Sequence, residues 1–471
     1  MSGKEMRERI YGTETEYAFQ YFTTPAEPAR VFRGTEIYLF YLFRRALEAQ
    51  GYRKLYEDKY NNFSIFLANG ARLYVDRGGH PEYATAECRT WRDALVQEKA
   101  GERIIAELCP FIERELQTIG YRGNLLIAKN NVDGAGSTYG SHENYLVERR
   151  DSEESAAFFA RLARHLVPFL VTRQIFCGSG KVDPAVGYQI SQRADYISTL
   201  FSANTTTKGI INTKEESLAH EQRFRRLHLI LGDSNMSDFS LALKLGTTGI
   251  VLRLMEDEAL KPGLELEDPL LALRVISRDP SCQSRVRLRG GRAWTAIEIQ
   301  EHYLEAAHRY YATREPDPLE AEILRHWEET LRLLAEDPWQ LHRRIDWVIK
   351  RWLLERQRQR EGLAWPAPQL RQLDIKYHAI YPQGLFARLE QGGWVDRWVE
   401  EEEIEQAKYQ PPADTRARVR HDFINAVLDN RLEGTATWVT LCWGPELRHS
   451  VELWDPFMPF NQAVANIGKQ Q

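Results

Sequence analysis

The stretch that most limits what this chain can fold into runs from Asn69 to Cys88, NGARLYVDRGGHPEYATAEC. Arg72, Tyr74 and Asp76 alternate there with Leu73 and Val75, the two-residue period of a strand with one polar and one apolar face. A fixed cation, a phenol and a carboxylate therefore point to one side of a sheet, where an ordinary wet face carries Lys, Thr or Ser. Gly78-Gly79 permits a sharp bend. His80, Glu82 and Glu87 follow within a few residues. A solvated strand and turn would also satisfy the pattern, but the chemical variety of the polar face points to a site.

A second alternating run, IYGTETEYAF from Ile10 to Phe19, puts Tyr11, Thr13, Thr15, Tyr17 and Phe19 on one face and Gly12, Glu14, Glu16 and Ala18 on the other. Carboxylates two residues apart on a strand are about 7 Å apart. That is too far to share a proton, yet suited to neighbouring metal ions or two oxygens of a polyphosphate. Like charges side by side on a strand are unfavourable without a cation, although two glutamates on a solvent-facing edge strand read the same way.

Lys+Arg number 62 against 67 Asp+Glu, a net charge of −5, so no global basic field argues for nucleic acid. The five cysteines (Cys88, Cys109, Cys177, Cys282, Cys442) are dispersed and never form C-x-x-C, which argues against a disulfide framework or structural zinc and for a reducing compartment. MSGKEMRERIYG carries no apolar secretory core, and no uncharged apolar run is long enough to span a membrane. A soluble cytoplasmic protein is expected.

Helical periodicity predicts helices over Thr35–Gln50 with Thr35 as N-cap, Arg92–Thr118 with a break at Pro110, Glu154–Thr172, Ser237–Glu258, Thr295–Tyr310, Leu319–Glu361 and Asp414–Leu428. Strands are expected at Leu125–Lys129, from Ser141, and over Gly187–Arg193, Gly209–Asn212, Leu227–Gly232 and Thr435–Trp443. The charge run Glu400–Glu403 followed by Gln410-Pro411-Pro412 marks a boundary: residues 1–409 a catalytic domain, 410–471 a small C-terminal one. The basic stretch around Lys350 predicts a positive surface open to an acidic partner. Gly178-Ser179-Gly180-Lys181 resembles the end of a P-loop, but Ile175 replaces the first glycine and Val182 the Mg²⁺-binding Ser/Thr.

Glu14, Glu16, Glu82 and Glu143 are candidate hard oxygen ligands without a Cys/His set beside them, which favours Mg²⁺ over zinc. Arg72, Lys208, Lys214 and Arg226 can neutralise phosphate. Carboxylates and cations on strands suit phosphoryl transfer without a P-loop, and Asp76, one strand step past Tyr74, is the candidate general base. The residues alone lead to an ATP- and Mg²⁺-dependent enzyme of unknown substrate.

GTETEY, NGARLYVDRGGHPEYATAEC, GSHENYLV, LVTRQIFCGSGK, ISQRA, IINT, RRLHLILGDSNM and IDWVIKR, in this order, resemble the ligases of the prokaryotic ubiquitin-like protein Pup and their depupylase relatives. The resemblance implies an α+β fold shared with glutamine synthetase and other carboxylate–amine ligases: a curved, largely antiparallel sheet flanked by helices, plus a small C-terminal domain. It implies that Glu14, Tyr74 and Glu82 hold Mg²⁺, that Arg72, Thr85 and Trp438 bind ATP, and that Asp76 is the catalytic acid/base. Glu16, His142 and His228 also match the family and join the metal set; Arg226 and Lys208 join the nucleotide set. The implied partners are an acidic Pup-like modifier ending in Glu, lysine-bearing targets and, indirectly, a bacterial proteasome, with neither nucleic acid nor membrane.

Depupylases resemble the chain too but carry an extra loop between the E-x-E and LYVD strands. Here that interval is mostly one helix and a short extension, which favours ligase over hydrolysis of the same isopeptide bond. A small-molecule carboxylate–amine ligase or a nucleotide-binding adaptor would also be compatible with these residues. Departures from the family pattern stand at Ser141, a usual Cys; at Lys208, a usual Arg; and in IINTKEESLAH around Lys214. Lys keeps the charge but loses bidentate phosphate geometry, so a divergent modifier is one expectation.

Overall fold

Strict alternation becomes strand, and the strands fall into one dominant sheet with the E-x-E segment near its middle. The computed structural model describes residues 8–469 apart from 24–35, 59–63, 77, 122, 134–135, 151, 205–206, 215 and 262–263. In chain order the strands are β1 (Tyr11–Glu16), β2 (Ala18–Thr23), β3 (Lys54–Tyr56), β4 (Ser64–Leu67), β5 (Arg72–Val75), β6 (Pro81–Ala84), β7 (Gly123–Ala128), β8 (Ser141–Glu148), β9 (Lys181–Asp183) and β10 (Gly187–Gln189). They continue with β11 (Thr199–Ser202), β12 (Gly209–Asn212), β13 (Phe224–Leu229), β14 (Arg285–Arg287), β15 (Ala293–Thr295), β16 (Ala379–Tyr381), β17 (Gly434–Ala436), β18 (Thr440–Trp443) and β19 (His449–Glu452).

Among the described residues the large sheet has twelve strands in the order β11-β12-β13-β8-β1-β6-β5-β4-β3-β17-β18-β19. Only β11–β12 and β3–β17 pair in parallel, so the sheet is largely antiparallel, in keeping with the α+β class. The alternation expected to run through to Phe19 breaks at Tyr17. β1 ends at Glu16, and β2 enters a separate three-stranded sheet, β16-β7-β2.

The inner face of β1 rests on the helix α2 (Trp91–Thr118), which follows α1 (Glu36–Ala49). Thr90 caps α2 by accepting the Asp93 N–H. Thr13 and Thr15 donate to the buried Glu98 carboxylate at 2.5 and 2.7 Å, and Lys129 pairs with both Glu98 and Glu102 at 2.6 Å. Buried charge of this kind persists only when paired and hydrogen-bonded, and here the pairing pins β1 to the helix beneath it. Proline does not break α2 as its chemistry suggests: the helix continues through Pro110 because Leu108, Cys109, Ile112 and Leu116 are fully buried along it.

Other elements depart from the pattern for identifiable reasons. The expected helix over 154–172 divides into α3 (Ser155–His165) and α4 (Val167–Thr172), with Pro168 in the first turn of the second. The long helix expected over 319–361 is two, Pro318–Glu336 and Asp346–Glu361, separated by a 3-10 turn that Asp337 caps. The strand expected over 435–443 is the hairpin β17–β18, turned at Thr437, whose N–H donates to the Thr440 carbonyl. Regular pairing of GYQISQR stops at Gln189, and Thr35 lies outside the described residues.

The basic surface expected around Lys350 is not uniform. Lys350 is fully buried, donating to the Gly180 carbonyl and to Asp374, while Arg343 and Arg344 pair with Asp396. Residues beyond 410 join the sheet through β17, and Val419, Phe423, Ile424 and Leu441 form one buried cluster with Leu55, Phe66 and Ala68. The segment 410–471, proposed as a small domain, is thus attached by core packing as well as by strand pairing. No helix among the described residues is long and apolar enough to cross a membrane, and the five cysteines are unpaired.

Candidate active site

Antiparallel register decides which side chains share the outer face of the sheet. Glu14 stands opposite His142 on one side and Ala84 on the other, and Glu16 opposite Glu82. Tyr74 faces Glu82, Arg72 faces Ala84, and Asn144 faces His228. Directly opposed residues point the same way, so Glu14, Glu16, Arg72, Tyr74, Glu82, His142, Arg226 and His228 converge from five strands. Glu143, one step out of phase, lies on the other face, fully buried in a bidentate pair with Arg173 at 2.5 and 2.9 Å. It is a core charge, and its expectation as a metal ligand is corrected by the period of the strand.

Glu14 is the hub. Its Oε1 accepts from Arg226 (3.0 Å) and Asn144 (3.1 Å); its Oε2 lies 3.4 Å from His142 Nδ1 and 3.7 Å from His228 Nε2. Arg226 is itself held by Asn144 at 2.7 Å. Burial pushes the Glu14 carboxyl up, but Arg226, followed by the hydrogen bond from His142, outweighs it and holds the group well below the usual carboxylate range. Glu82 has no such help: burial, then Glu14 and Glu16 beside it, hold its carboxyl well above that range. Burial, with Glu82 and Glu14 as neighbours, likewise raises the Tyr74 phenol. Burial takes the His228 imidazole down to about 3, so it is neutral at physiological pH.

Several of these groups fit a divalent cation. Ligand atoms of Glu14, His142 and His228 lie within 4.8 Å of one another, as do those of Glu16, Glu82 and His142, and of Glu16, Asp76 and His80. His228 Nε2 is buried without a hydrogen-bond partner, and the buried Glu82 needs either a proton or a cation. The carboxylate oxygens suit Mg²⁺ or Mn²⁺, while neutral imidazoles also accept softer divalent ions. The two imidazoles make the donor set softer than carboxylate spacing alone suggests.

Beside the hub, a cavity of about 380 Å³ is lined by Glu14, Arg72, Tyr74, Thr85, Arg226 and Trp438 among others. Arg72 is aligned by Ser64 and Glu57, both at 2.7 Å, and its guanidinium lies 4.2 Å from the Tyr74 ring centroid. Thr85 Oγ1 accepts the Thr13 N–H at 3.0 Å. Trp438 packs edge-on against Phe66, and its carbonyl accepts from Arg420. Lys208 stands apart, outside the cavity lining. Its backbone is left-handed (φ 50°), and its ammonium lies over the Tyr196 ring at 5.3 Å. Lys214 pairs with Glu216 at 2.9 Å.

Asp76 sits at the opposite end of the hub, one residue past β5. Its Oδ1 accepts the N–H groups of Gly78 (2.9 Å) and His80 (2.7 Å). Burial would raise the carboxyl, but the contacts from His80 and Gly78 outweigh it and lower it. Sequence reading missed the residues that hold the site: Asn144, Ser64 and Glu57, and Arg416 and Arg420, which bind the buried Glu87. The signal for Asn144 was its alternation with His142 on β8.

A sequence profile of the family described as Pup-ligase protein matches residues 9–442. The chain is 42% identical over 468 residues to the Pup–protein ligase of Acidimicrobium ferrooxidans, covering 97% of each. The chain belongs to the Pup-ligase family. A Pup–protein ligase of Kribbella flavida is 40% identical over 475 residues, 98% of this chain and 99% of that one. The Pup ligase PafA solved in complex with Pup superposes with a TM-score of 0.85 at 34% identity over 98% of this chain and 91% of that one. PafA solved in complex with ADP gives 0.80 at 35% identity, over 95% and 96%. Across the Pup-ligase family match, from residue 9 to 442, lie all the site residues described above.

Proposed function

We propose that this Pup ligase joins the γ-carboxylate of a C-terminal Glu on an acidic Pup-like modifier to lysine ε-amines of target proteins, driven by ATP through a γ-glutamyl phosphate. The observation that carries this reading is the order of groups along β1. The cavity with Thr85 and Trp438 lies at one end, Arg72 and Glu14 share the next rung, Tyr74, Glu82 and Glu16 share the one after it, and Asp76 lies beyond, past the end of β5. Nucleotide, transferred phosphoryl group and acceptor amine thus have successive places.

Trp438 and Thr85 hold the nucleoside end, and Arg72 and Arg226 face the phosphates. Glu14, Tyr74 and Glu82 would hold Mg²⁺, with Glu16, His142 and His228 completing the donor set; the ion would supply neutralisation of polyphosphate charge when bound. A modifier carboxylate oxygen attacks the γ-phosphorus and ADP leaves, its charge stabilised by the preorganised guanidiniums. A lysine amine is protonated near neutral pH, so a proton must go before attack. Asp76 takes it, the N–C bond forms, the C–O bond to phosphate breaks, and phosphate leaves. Asp76 is suited because its Oδ1 is occupied by backbone N–H groups and its Oδ2 is not.

Five unpaired cysteines fit a reducing cytoplasm, where target lysines and ATP coexist. The link to a bacterial proteasome is indirect, through the modifier. Intact-mass spectrometry tests the reading, with ATP, Mg²⁺, a Glu-terminated Pup-like modifier and a lysine-bearing acceptor. The acceptor gains the modifier's mass less one water; release of acceptor from a preformed conjugate, without new conjugation, would move the protein to the hydrolase branch.

A further inference from the structure

His80, Tyr139, Asn130 and Gly78 have no role in the chemistry just described, and together they form a clamp around Asp76. Asp76 Oδ1 is fully engaged by two backbone N–H groups. Its Oδ2 faces His80 Nδ1 at 3.5 Å, longer than a hydrogen bond. That ring nitrogen is buried and has no hydrogen-bond partner, a condition that calls for an explanation in a folded protein. The His80 ring is held from its other side by Tyr139, with centroids 4.8 Å apart at 32°. Tyr139 is in turn fixed by Asn130, whose side chain donates to its hydroxyl at 3.1 Å.

Space between the two groups is kept open by Gly78. A Cβ there would lie 2.9 Å from His80 Nδ1 and 3.1 Å from Asp76 Oδ2. The strip that carries Tyr139 also governs the neighbouring carboxylate, since the Gly140 N–H donates to Glu16 Oε2 at 2.8 Å. One loop therefore sets both Glu16 and, through His80, the free oxygen of Asp76.

We propose that His80 is a positioning residue for the transfer half of the reaction, an inference that rests on Asp76 being the base. Its Nδ1–H closes on Oδ2 when the acceptor lysine arrives, fixing the carboxylate about its Cβ–Cγ bond so that Oδ2 meets the incoming ammonium. Tyr139 supplies the wall that keeps the imidazole from swinging away. Contacts of this kind are often long without substrate and tighten in the reacting complex.

The test separates the two half-reactions in the full chain. Single-turnover ADP formation with the Glu-terminated modifier but no acceptor reads phosphoryl transfer; adding a lysine-bearing acceptor and following intact mass reads amine transfer. His80→Phe keeps the stack on Tyr139 and removes the donor. His80→Asn keeps a donor near the Nδ1 position. The expected result is unchanged ADP formation in both, with transfer slowed on the order of 100-fold in H80F and largely restored in H80N. Mn²⁺ affinity, read by tryptophan quenching, stays at the parent value in both. Parent-like transfer in H80F, or equal loss in H80F and H80N, would overturn the inference. So would weakened Mn²⁺ binding, which would make His80 a metal ligand with Glu16. Asp76→Asn in the same assay keeps the two readings apart: if it transfers normally, the base assignment itself fails.

Discussion

Glu82 is the group whose replacement separates metal binding from folding. It is 5% exposed, and a carboxylate oxygen of Glu16 lies within 4.8 Å of its own. Two full charges at 4.8 Å repel by about 3 kcal/mol at an effective dielectric constant of ~20. Burial first, then repulsion from Glu14 and Glu16, raises the Glu82 carboxyl, so without a cation the protein relieves the conflict by binding a proton. A carboxyl raised in the native state holds a proton that the unfolded chain has released. Stability of the metal-free protein therefore falls as pH rises from the ordinary value of about 4.3 through the raised one. With Glu82 as a ligand, as proposed, Mg²⁺ would replace that proton and cancel the loss.

Glu82→Gln imitates the protonated form. Without Mg²⁺ the variant should be at least as stable as the parent and lack that fall with pH. Mg²⁺ at about a hundred times its Kd should stabilise the parent by roughly 2.7 kcal/mol. With an unfolding entropy of about 2.1 cal/mol/K per residue, a 471-residue chain changes by about 1 kcal/mol per degree, so the expected rise in Tm is about 3 °C. Differential scanning fluorimetry at about pH 6 and about pH 8, with and without Mg²⁺, reads all four values. An equal Mg²⁺ shift in E82Q, or a parent shift that is larger at the lower pH, would refute the reasoning.

Asp76→Asn should lower conjugation by about 10²–10⁴-fold while isothermal titration with ADP gives parent-like binding. Trp438→Ala removes the aromatic wall packed on Phe66 and should raise the KM for ATP by roughly 10–100-fold, equivalent to about 1–3 kcal/mol, with kcat retained in steady-state kinetics. Glu87 is buried between Arg416 and Arg420; burial opposes its charge, but the guanidiniums outweigh it and hold the carboxyl at about 2. A depressed carboxyl contributes stability present above its ordinary value and lost as pH falls toward 2, so urea midpoints should drop between about pH 5 and about pH 2. Glu87→Gln should flatten that acid limb and cost on the order of 3–5 kcal/mol at neutral pH, because two guanidiniums stay buried without their partner.

What was legible in the chain was what depends on neighbours. Alternation placed Arg72, Tyr74 and Asp76 together and Glu14 with Glu16, because a strand's side-chain period is two whatever it packs against. The helix expected from Ser237 starts there for the same local reason, since the Ser237 hydroxyl caps its first turn by accepting the Ser240 N–H. His142 and His228 joined the metal set through the likeness to known ligases, since nothing in their spacing from Glu14 reports a common face.

Tertiary structure decided the rest. Whether Glu143 or His142 meets Glu14 depends on a single step of register between β1 and β8, and a one-residue slip turns every side chain over. Burial made Lys350 a core ion-pair partner instead of a surface charge, and packing carried a helix through Pro110. The conflict at Glu82 exists only because strands distant in sequence bring Glu14, Glu16 and Glu82 to one face. The sequence alone determined which groups the site has to work with; the sheet decided their distances, and distance and burial set the charge each one carries.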